Sequence, residues 1–133
     1  MTSKVFYQGN LRTKCVHIKS GDEIITDAPV DNFGKGEAFS PTDTVATALA
    51  SCMLTVMGIK ANQLRIDFKN CNAEVEKIMS SNPRRISEIR VKMNLPLKIS
   101  LKDKAIIEKA GDNCPVHKSL DPKLRRVIKY NWF

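Results

Sequence analysis

The stretch "FSPTDTVATALASCMLTVMGIK", residues 39–60, predicts the long helix on which the fold depends. Ser40 suits the N-cap and Pro41 the first helical position, and Asp43 follows the cap at the spacing of a capping box. No charged residue occurs between Asp43 and Lys60. Because a helix without charge has no face suited to water, we expect it to be buried against its own sheet and a partner subunit.

This helix is predicted to carry one apolar stripe and one face of small residues. The stripe at helical spacing consists of Val45, Leu49, Cys52, Val56 and Ile59. The opposite face, where another backbone could approach closely, consists of Thr44, Thr47, Ser51, Thr55 and Gly58. Cys52 thus lies in an apolar setting, where a lone thiol is inert unless a cation is brought beside it.

Short strands are predicted before the helix. The segments "KVFYQG", "RTKCVHIK" and "DEIITD" extend to about Ala28, and the loop "APVDNFGKGEAFS" follows them. The weakly polar run over residues 45–59 contains three hydroxyl side chains and falls short of the roughly 20 residues needed to cross a bilayer, so no membrane is expected as a partner.

Two alternating segments, residues 66–79 and 86–99, are predicted to form a hairpin through the turn "SSNPRR". A helix is expected at residues 102–110 with a stop at Gly111, and a second one opens at Pro115. The segment "RRVIKYNWF" is a closing strand. This order predicts the α+β class, with a mostly antiparallel sheet.

Length and composition predict one globular domain that spans residues 1–133. The 22 Lys and Arg residues exceed the 14 Asp and Glu residues, which gives a formal net charge of +8. These basic residues are scattered along the chain with few aromatic neighbours, so they indicate a solvated surface and not a nucleic-acid partner. The first residues, "MTSKVFYQGN", lack the apolar segment of a secretory signal, and we expect a cytoplasmic protein.

The four cysteines invite a redox or a metal interpretation. Cys114 precedes the helix that opens at Pro115, where the helix dipole favours a thiolate, and His117 can share its face. A Cys/His zinc site from "CVH" and "CPVH" is an alternative, although neither half has the usual ligand spacing. Cys15 and Cys71 lie on strand-like segments and are interpreted as bystanders.

The segments "FSPTDTVATALASCM" and "CPVHKSL" together resemble the OsmC/Ohr family of thiol-dependent hydroperoxide reductases. The resemblance covers nearly the whole chain. It implies an α+β, OsmC-like fold with antiparallel sheets around a long buried central helix, in an intertwined homodimer with two sites at its interface. It implies no metal and no bound cofactor.

The same resemblance implies the chemistry of the site. Cys52 would be the peroxidatic cysteine, Cys114 would resolve its sulfenic acid as a disulfide, and Arg12 best matches the arginine that pairs with the peroxidatic thiol. The substrate would be an organic hydroperoxide and the reductant an external dithiol. A protein of the same fold that binds a small apolar ligand without turnover is the alternative.

One residue departs from the pattern of the Ohr-type members. They carry a glutamate directly after the loop proline, where it holds the arginine, but Thr42 follows Pro41 here. Glu37 and Asp43 are the two acids considered as substitutes. The departure suggests a divergent OsmC-like branch.

Overall fold

The computed structural model describes all 133 residues, which form two compact units, Met1–Val45 and Ala46–Phe133. We call them the N-terminal unit and the C-terminal unit. The N-terminal unit contains an antiparallel sheet in the order β1, β2, β3. Its strands are β1 (Ser3–Gly9), β2 (Arg12–His17) and β3 (Glu23–Asp27). One domain over residues 1–133 stays a prediction.

The long helix begins at the end of the N-terminal unit, and the remaining elements belong to the C-terminal unit. In chain order they are α1 (Pro41–Gln63), β4 (Asn72–Ser80), β5 (Arg85–Leu95), α2 (Leu101–Asp112), α3 (Pro115–Ser119) and β6 (Arg125–Trp132). Strand β5 pairs antiparallel with β4 and parallel with β6, which makes this second sheet mixed. The predicted α+β class is confirmed.

The start of α1 follows the predicted capping box. The Asp43 amide donates to the Ser40 hydroxyl at 3.0 Å, and the Ser40 amide donates to the Asp43 carboxylate at 2.9 Å. The two side chains thereby satisfy backbone groups that a helix end would otherwise leave unpaired. Thr42, which stands where the glutamate was expected, shares a 3.1 Å hydrogen bond with the Ser40 hydroxyl.

One face of α1 packs in the core of the C-terminal unit. Its buried residues are Ala46, Leu49, Ala50, Met53, Met57 and Ala61. They join one hydrophobic cluster with the β5 residues Ile89, Val91, Met93 and Leu95. By length and composition alone α1 could also cross a membrane, a property that it shares with the core helices of soluble proteins.

The predicted apolar stripe of α1 is largely wrong. Val45 and Ile59 are exposed, Cys52 and Val56 are half-buried, and of the stripe only Leu49 is buried. Alanine and methionine occupy the buried face because small and flexible side chains let the helix approach the sheet closely. Thr47, Ser51 and Thr55 are exposed, as expected of the opposite face.

Several predicted boundaries also shift. Strand β4 begins at Asn72 and not at residue 66, since Ile66, Phe68 and Cys71 pack on the core from an irregular segment. Strand β5 ends at Leu95, before a proline that cannot donate to the ladder.

Gly111 does not stop α2, because this helix continues to Asp112 and Asn113 caps it. An added Cβ at Gly111 would lie 2.9 Å from the Met57 sulfur and 3.3 Å from the Tyr130 hydroxyl oxygen. Glycine is therefore required here because α2 packs closely against its neighbours. This requirement cannot be recognised from the neighbouring residues in the sequence.

Candidate active site

Two of the four cysteines are brought together in the C-terminal unit. Cys52 lies in the middle of α1, and Cys114 is the N-cap residue of α3. Burial raises the pKa of Cys114, and the Cys52 thiol raises it further, so the two cysteine side chains are neighbours. Both are free thiols. The structure thus provides a reduced dithiol pair.

The two thiols differ in their exposure to solvent. Cys114 has 0% of its surface exposed, whereas Cys52 is half-buried. The sequence analysis expected Cys52 in an apolar setting and Cys114 at a helix start, and it did not predict that Cys114 is the more deeply buried of the two. The reason is that Cys52 lies at the border of the buried face of α1, next to Met53, while α3 holds Cys114 within the hydrophobic cluster.

Burial dominates the electrostatics of Cys114. It raises the pKa of this thiol, and the contact with Cys52 acts in the same direction. The backbone amides of His117 and Val116 oppose the shift, with the first donating to the sulfur at 3.3 Å. The helix start at Cys114 was predicted correctly, but its lowering effect on the pKa is smaller than the raising effect of burial. Cys114 is therefore a protonated thiol near neutral pH.

His117 touches Cys114 through its backbone amide. Its ring nitrogen Nδ1 is buried and has no hydrogen-bond partner. Burial lowers the pKa of His117, and the positive charge of Arg126 lowers it further. The imidazole is therefore neutral at pH 7.

Tyr130, which the sequence analysis did not single out, adds a polar group near this pair. Its hydroxyl donates to the Asp112 carboxylate at 2.6 Å and lies 3.3 Å from the Glu108 carbonyl. Burial and the Asp112 hydrogen bond raise the pKa of Tyr130, and a charge on Cys114 would raise it further. The phenol is thus a neutral donor over the physiological pH range.

Arg12, the third predicted site residue, lies at the start of β2 in the N-terminal unit. Its Nε and Nη2 atoms donate to the two carboxylate oxygens of Asp27 at 2.7 and 2.8 Å. Nη2 also donates to Glu37 at 3.3 Å. The hydrogen bond to Asp27, followed by its charge, raises the pKa of Arg12, so the guanidinium is permanently charged.

Asp27 is the acid that the sequence analysis missed. Of the two acids considered, Glu37 contacts Arg12 from the loop, and Asp43 closes the capping box of α1. The missed signal was the register of the β2–β3 hairpin, which places Arg12 directly opposite Asp27. Opposite residues of an antiparallel pair share one face, so a basic and an acidic side chain meet there.

Asp27 also ties the following loop to the sheet. Its amide donates to the Phe39 carbonyl at 3.0 Å, and the backbone of Glu37 helps Arg12 to lower the pKa of its carboxylate. Gly34 permits this path, because an added Cβ would lie 1.6 Å from the Ala28 carbonyl oxygen. Only 2% of the Asp27 side chain is exposed. This carboxylate is therefore a fixed part of the sheet.

The other two cysteines have ordinary surroundings. Cys15 lies on β2, with its sulfur 3.9 Å from the Thr13 hydroxyl. Burial raises the pKa of Cys71, and Asp67 adds to the shift. No group of three or more His, Cys, Asp or Glu side chains is arranged to hold a metal ion.

The fold and the dithiol pair define an α+β protein with two neighbouring free thiols, one on the long helix and one at the cap of a short helix. The sequence model of the family described as OsmC-like protein matches residues 34–127. The chain belongs to this OsmC-like family, as its two segments with Cys52 and Cys114 suggested.

Solved structures agree with this assignment. A candidate osmotic stress induced and detoxification response protein of Psychrobacter arcticus is 50% identical, with a TM-score of 0.95, and the match covers 98% of this chain and 96% of that one. An organic hydroperoxide resistance protein OsmC of Legionella pneumophila is 15% identical, with a TM-score of 0.76 over 97% and 94% of the two chains. The second likeness shows the fold alone. The comparison with curated proteins finds no match.

We predict that the charge of Asp27 stabilises the fold in a pH-dependent way. Its pKa is lowered in the folded protein by the hydrogen bond from Arg12. The stabilisation is therefore fully present above the unfolded pKa of about 3.9 and is lost as the pH falls through the lower folded value. Asp27→Asn should reduce the free energy of unfolding at pH 7, and this deficit should shrink below about pH 4.

Urea unfolding of both proteins across this pH range measures the effect. Glu37→Gln is the matched control, because it removes the same charge from a side chain that is 64% exposed, and its deficit at pH 7 should be smaller. A deficit in Asp27→Asn that stays constant from neutral to strongly acidic pH would contradict the prediction.

Proposed function

We propose that this protein is a thiol-dependent peroxidase that reduces organic hydroperoxides. The proximity of the Cys52 and Cys114 side chains carries the proposal. Neighbouring thiols can deliver two electrons and be left as a disulfide, which is the electron count of peroxide reduction. Membership of the OsmC-like family supports a redox role in stress response.

Cys52 is assigned the attack on the peroxide. Its thiolate sulfur attacks the outer oxygen of the hydroperoxide, so that the O–O bond breaks and an S–O bond forms. Cys52 is then a sulfenic acid, and the departing alkoxide takes a proton to become an alcohol. The partial exposure of Cys52 supports this order, because a peroxide can reach its sulfur more easily than that of buried Cys114.

Cys114 is assigned the second step. Its sulfur attacks the sulfenic sulfur of Cys52, an S–S bond forms, and the hydroxyl leaves as water with the thiol proton. Burial keeps Cys114 protonated, which is consistent with a thiol that reacts only after the sulfenic acid has formed on Cys52. An external dithiol in the cytoplasm would return the disulfide to two thiols and itself be oxidised.

Arg12 is assigned, from the resemblance, to hold the Cys52 thiolate. An adjacent guanidinium lowers the pKa of a thiol, and a permanent charge keeps that effect across the physiological range. The raised pKa of Arg12 beside Asp27 and Glu37 supports such a permanent charge.

A homodimer is part of the proposal. The outward stripe of α1 consists of the exposed residues Ala48, Ser51, Thr55 and Ile59, none of which is charged. In the N-terminal unit the large apolar side chains of Val5, Tyr7 and Ile24 are exposed as well. Uncharged and apolar surface of this extent is typical of an interface, and a second copy of the chain would cover it.

We predict that Cys114→Ser stops after the first step. One equivalent of cumene hydroperoxide without reductant should leave a sulfenic acid on Cys52, because no thiol remains to condense with it. A dimedone-type reagent and peptide mass spectrometry would locate the adduct. Cys71→Ser is the control, since it removes a half-buried thiol elsewhere and should leave turnover with dithiothreitol unchanged.

Cys52→Ser should consume almost no peroxide. An adduct on Cys114 in a Cys52→Ser protein that still turns over would reverse the two roles. Failure of the wild type to consume any hydroperoxide would instead favour a protein of this fold that binds a small molecule without turnover.

The dimer is tested by placing a charge on the outward stripe of α1. Ala48→Lys would put an ammonium group into the interface, where an unpaired charge is costly, and should sediment with the mass of one chain. Ala105→Lys makes the same change at an exposed alanine of α2 and should sediment as two chains, like the wild type. Equal masses for the two variants would contradict the proposed interface.

A further inference from the structure

Strand β6 holds the short connection between α2 and α3 at the end of α2. The Tyr130 hydroxyl donates to the Asp112 carboxylate at 2.6 Å and lies 3.3 Å from the Glu108 carbonyl. Asp112 is the last residue of α2, and Asn113 alone separates it from Cys114. A contact that fixes the end of α2 therefore also limits where Cys114 can lie, because so short a connection has little reach.

The backbone of this connection is hydrogen-bonded to the last turn of α2. The Cys114 amide donates to the Gly111 carbonyl at 3.1 Å, and the Asn113 amide donates to the Ala110 carbonyl at 3.2 Å. Gly111 packs against Tyr130, since an added Cβ would lie 3.3 Å from the phenol oxygen. The phenol oxygen thus lies beside the turn to which the Cys114 amide is bonded.

The same strand holds the chain on the other side of Cys114. Arg126 Nη1 donates to the His117 carbonyl at 3.3 Å, and the His117 amide donates to the Cys114 sulfur at 3.3 Å. Arg126 and Tyr130 both belong to β6 and are separated by an even number of positions, so their side chains lie on the same face of the strand. Residues of one strand therefore hold the chain both before and after Cys114.

We propose that Tyr130 is a positioning residue for Cys114: by holding the last turn of α2 to β6, its phenol keeps the Cys114 side chain buried beside Cys52. The inference rests on the proposed function, in which Cys114 reacts with the sulfenic acid of Cys52. Two groups that are held together react faster than groups that meet only part of the time. Tyr130 should thus speed the second step and leave the first step, in which Cys114 takes no part, unchanged.

A role of Tyr130 in general stability gives a different expectation, which a matched variant can test. Trp132 also ties β6 to α2, since its Nε1 donates to the Glu108 carboxylate at 2.7 Å. This bond lies one turn before Asp112, away from the residue that precedes the cap. Trp132→Phe is therefore the control for Tyr130→Phe, because each variant removes a hydrogen bond between the same strand and the same helix.

The first measurement is the alkylation of Cys114 by iodoacetamide in the reduced protein, followed by peptide mass spectrometry. Cys114 is 0% exposed, so it reacts only when its surroundings open. Tyr130→Phe should be alkylated at Cys114 about three- to tenfold faster than the wild type, as the loss of one hydrogen bond allows. Trp132→Phe should change this rate by less than about twofold, because the opening beside Cys114 does not break its bond.

The second measurement follows the sulfenic acid on Cys52 after one equivalent of cumene hydroperoxide. In Tyr130→Phe this sulfenic acid should persist about three- to tenfold longer than in the wild type, while the first turnover consumes peroxide at the same rate. If Tyr130→Phe does not fold, Asp112→Asn replaces it, because this exposed side chain loses only its charge. The sulfenic acid should again persist longer, whereas the lost negative charge alone would favour the Cys114 thiolate and shorten its lifetime.

The outcomes separate the inference from the proposed function. Equal acceleration of Cys114 alkylation in Tyr130→Phe and Trp132→Phe would overturn the inference, and so would an unchanged lifetime of the sulfenic acid or an equal slowing of both steps. None of these results would affect the peroxidase itself. A wild type that consumes no hydroperoxide would refute the proposed function, while the alkylation rates would still decide whether Tyr130 holds Cys114 in place.

Discussion

The burial of one face of α1 is the constraint on which the site depends. Small alanines and flexible methionines let this helix pack against the β5 face, where Met53 and Met57 are fully buried. Because a helix advances by 100° per residue, fixing that face also fixes the direction of every other side chain along it. Cys52 is therefore held at the border of the core, where it neighbours Cys114 and is half-buried.

The two units, each taken by itself, differ in their chemical character. The C-terminal unit supplies sulfur in a largely apolar setting, where burial keeps Cys114 protonated. The N-terminal unit supplies a permanent positive charge on Arg12, which a buried aspartate partly offsets. The two-bond fork fixes the position of this charge within the sheet of the N-terminal unit.

Local patterns in the sequence predicted the elements, because capping residues and strand alternation act over a few residues, whereas the pairing of Cys52 with Cys114 came from the family resemblance. The Ser40 and Asp43 cap and the Pro115 helix start were predicted correctly on this basis. The buried face of α1 was not, since Val45 and Leu49 fit a helical stripe as well as Ala46 and Met53 do. Only the shape of the opposing sheet distinguishes the two faces.

Contacts between residues that are distant in the sequence explain the other features that the sequence did not predict. Asp27 becomes the partner of Arg12 through hairpin register, and Gly111 is required by Met57 and Tyr130 from other elements. Neither relation follows from spacing along the chain. The opposing effects on Cys114 were likewise visible only in three dimensions, because the sequence indicates the helix end but not the depth of burial.

The most direct test of the account is the product formed by the wild-type protein with one equivalent of an alkyl hydroperoxide. After acid quenching, blocking of free thiols and digestion, mass spectrometry should find one linked peptide pair that joins Cys52 to Cys114, with Cys15 and Cys71 blocked as free thiols. A disulfide that involves Cys15 or Cys71, or four blocked thiols and unconsumed peroxide, would contradict the claim that Cys52 and Cys114 form a redox pair.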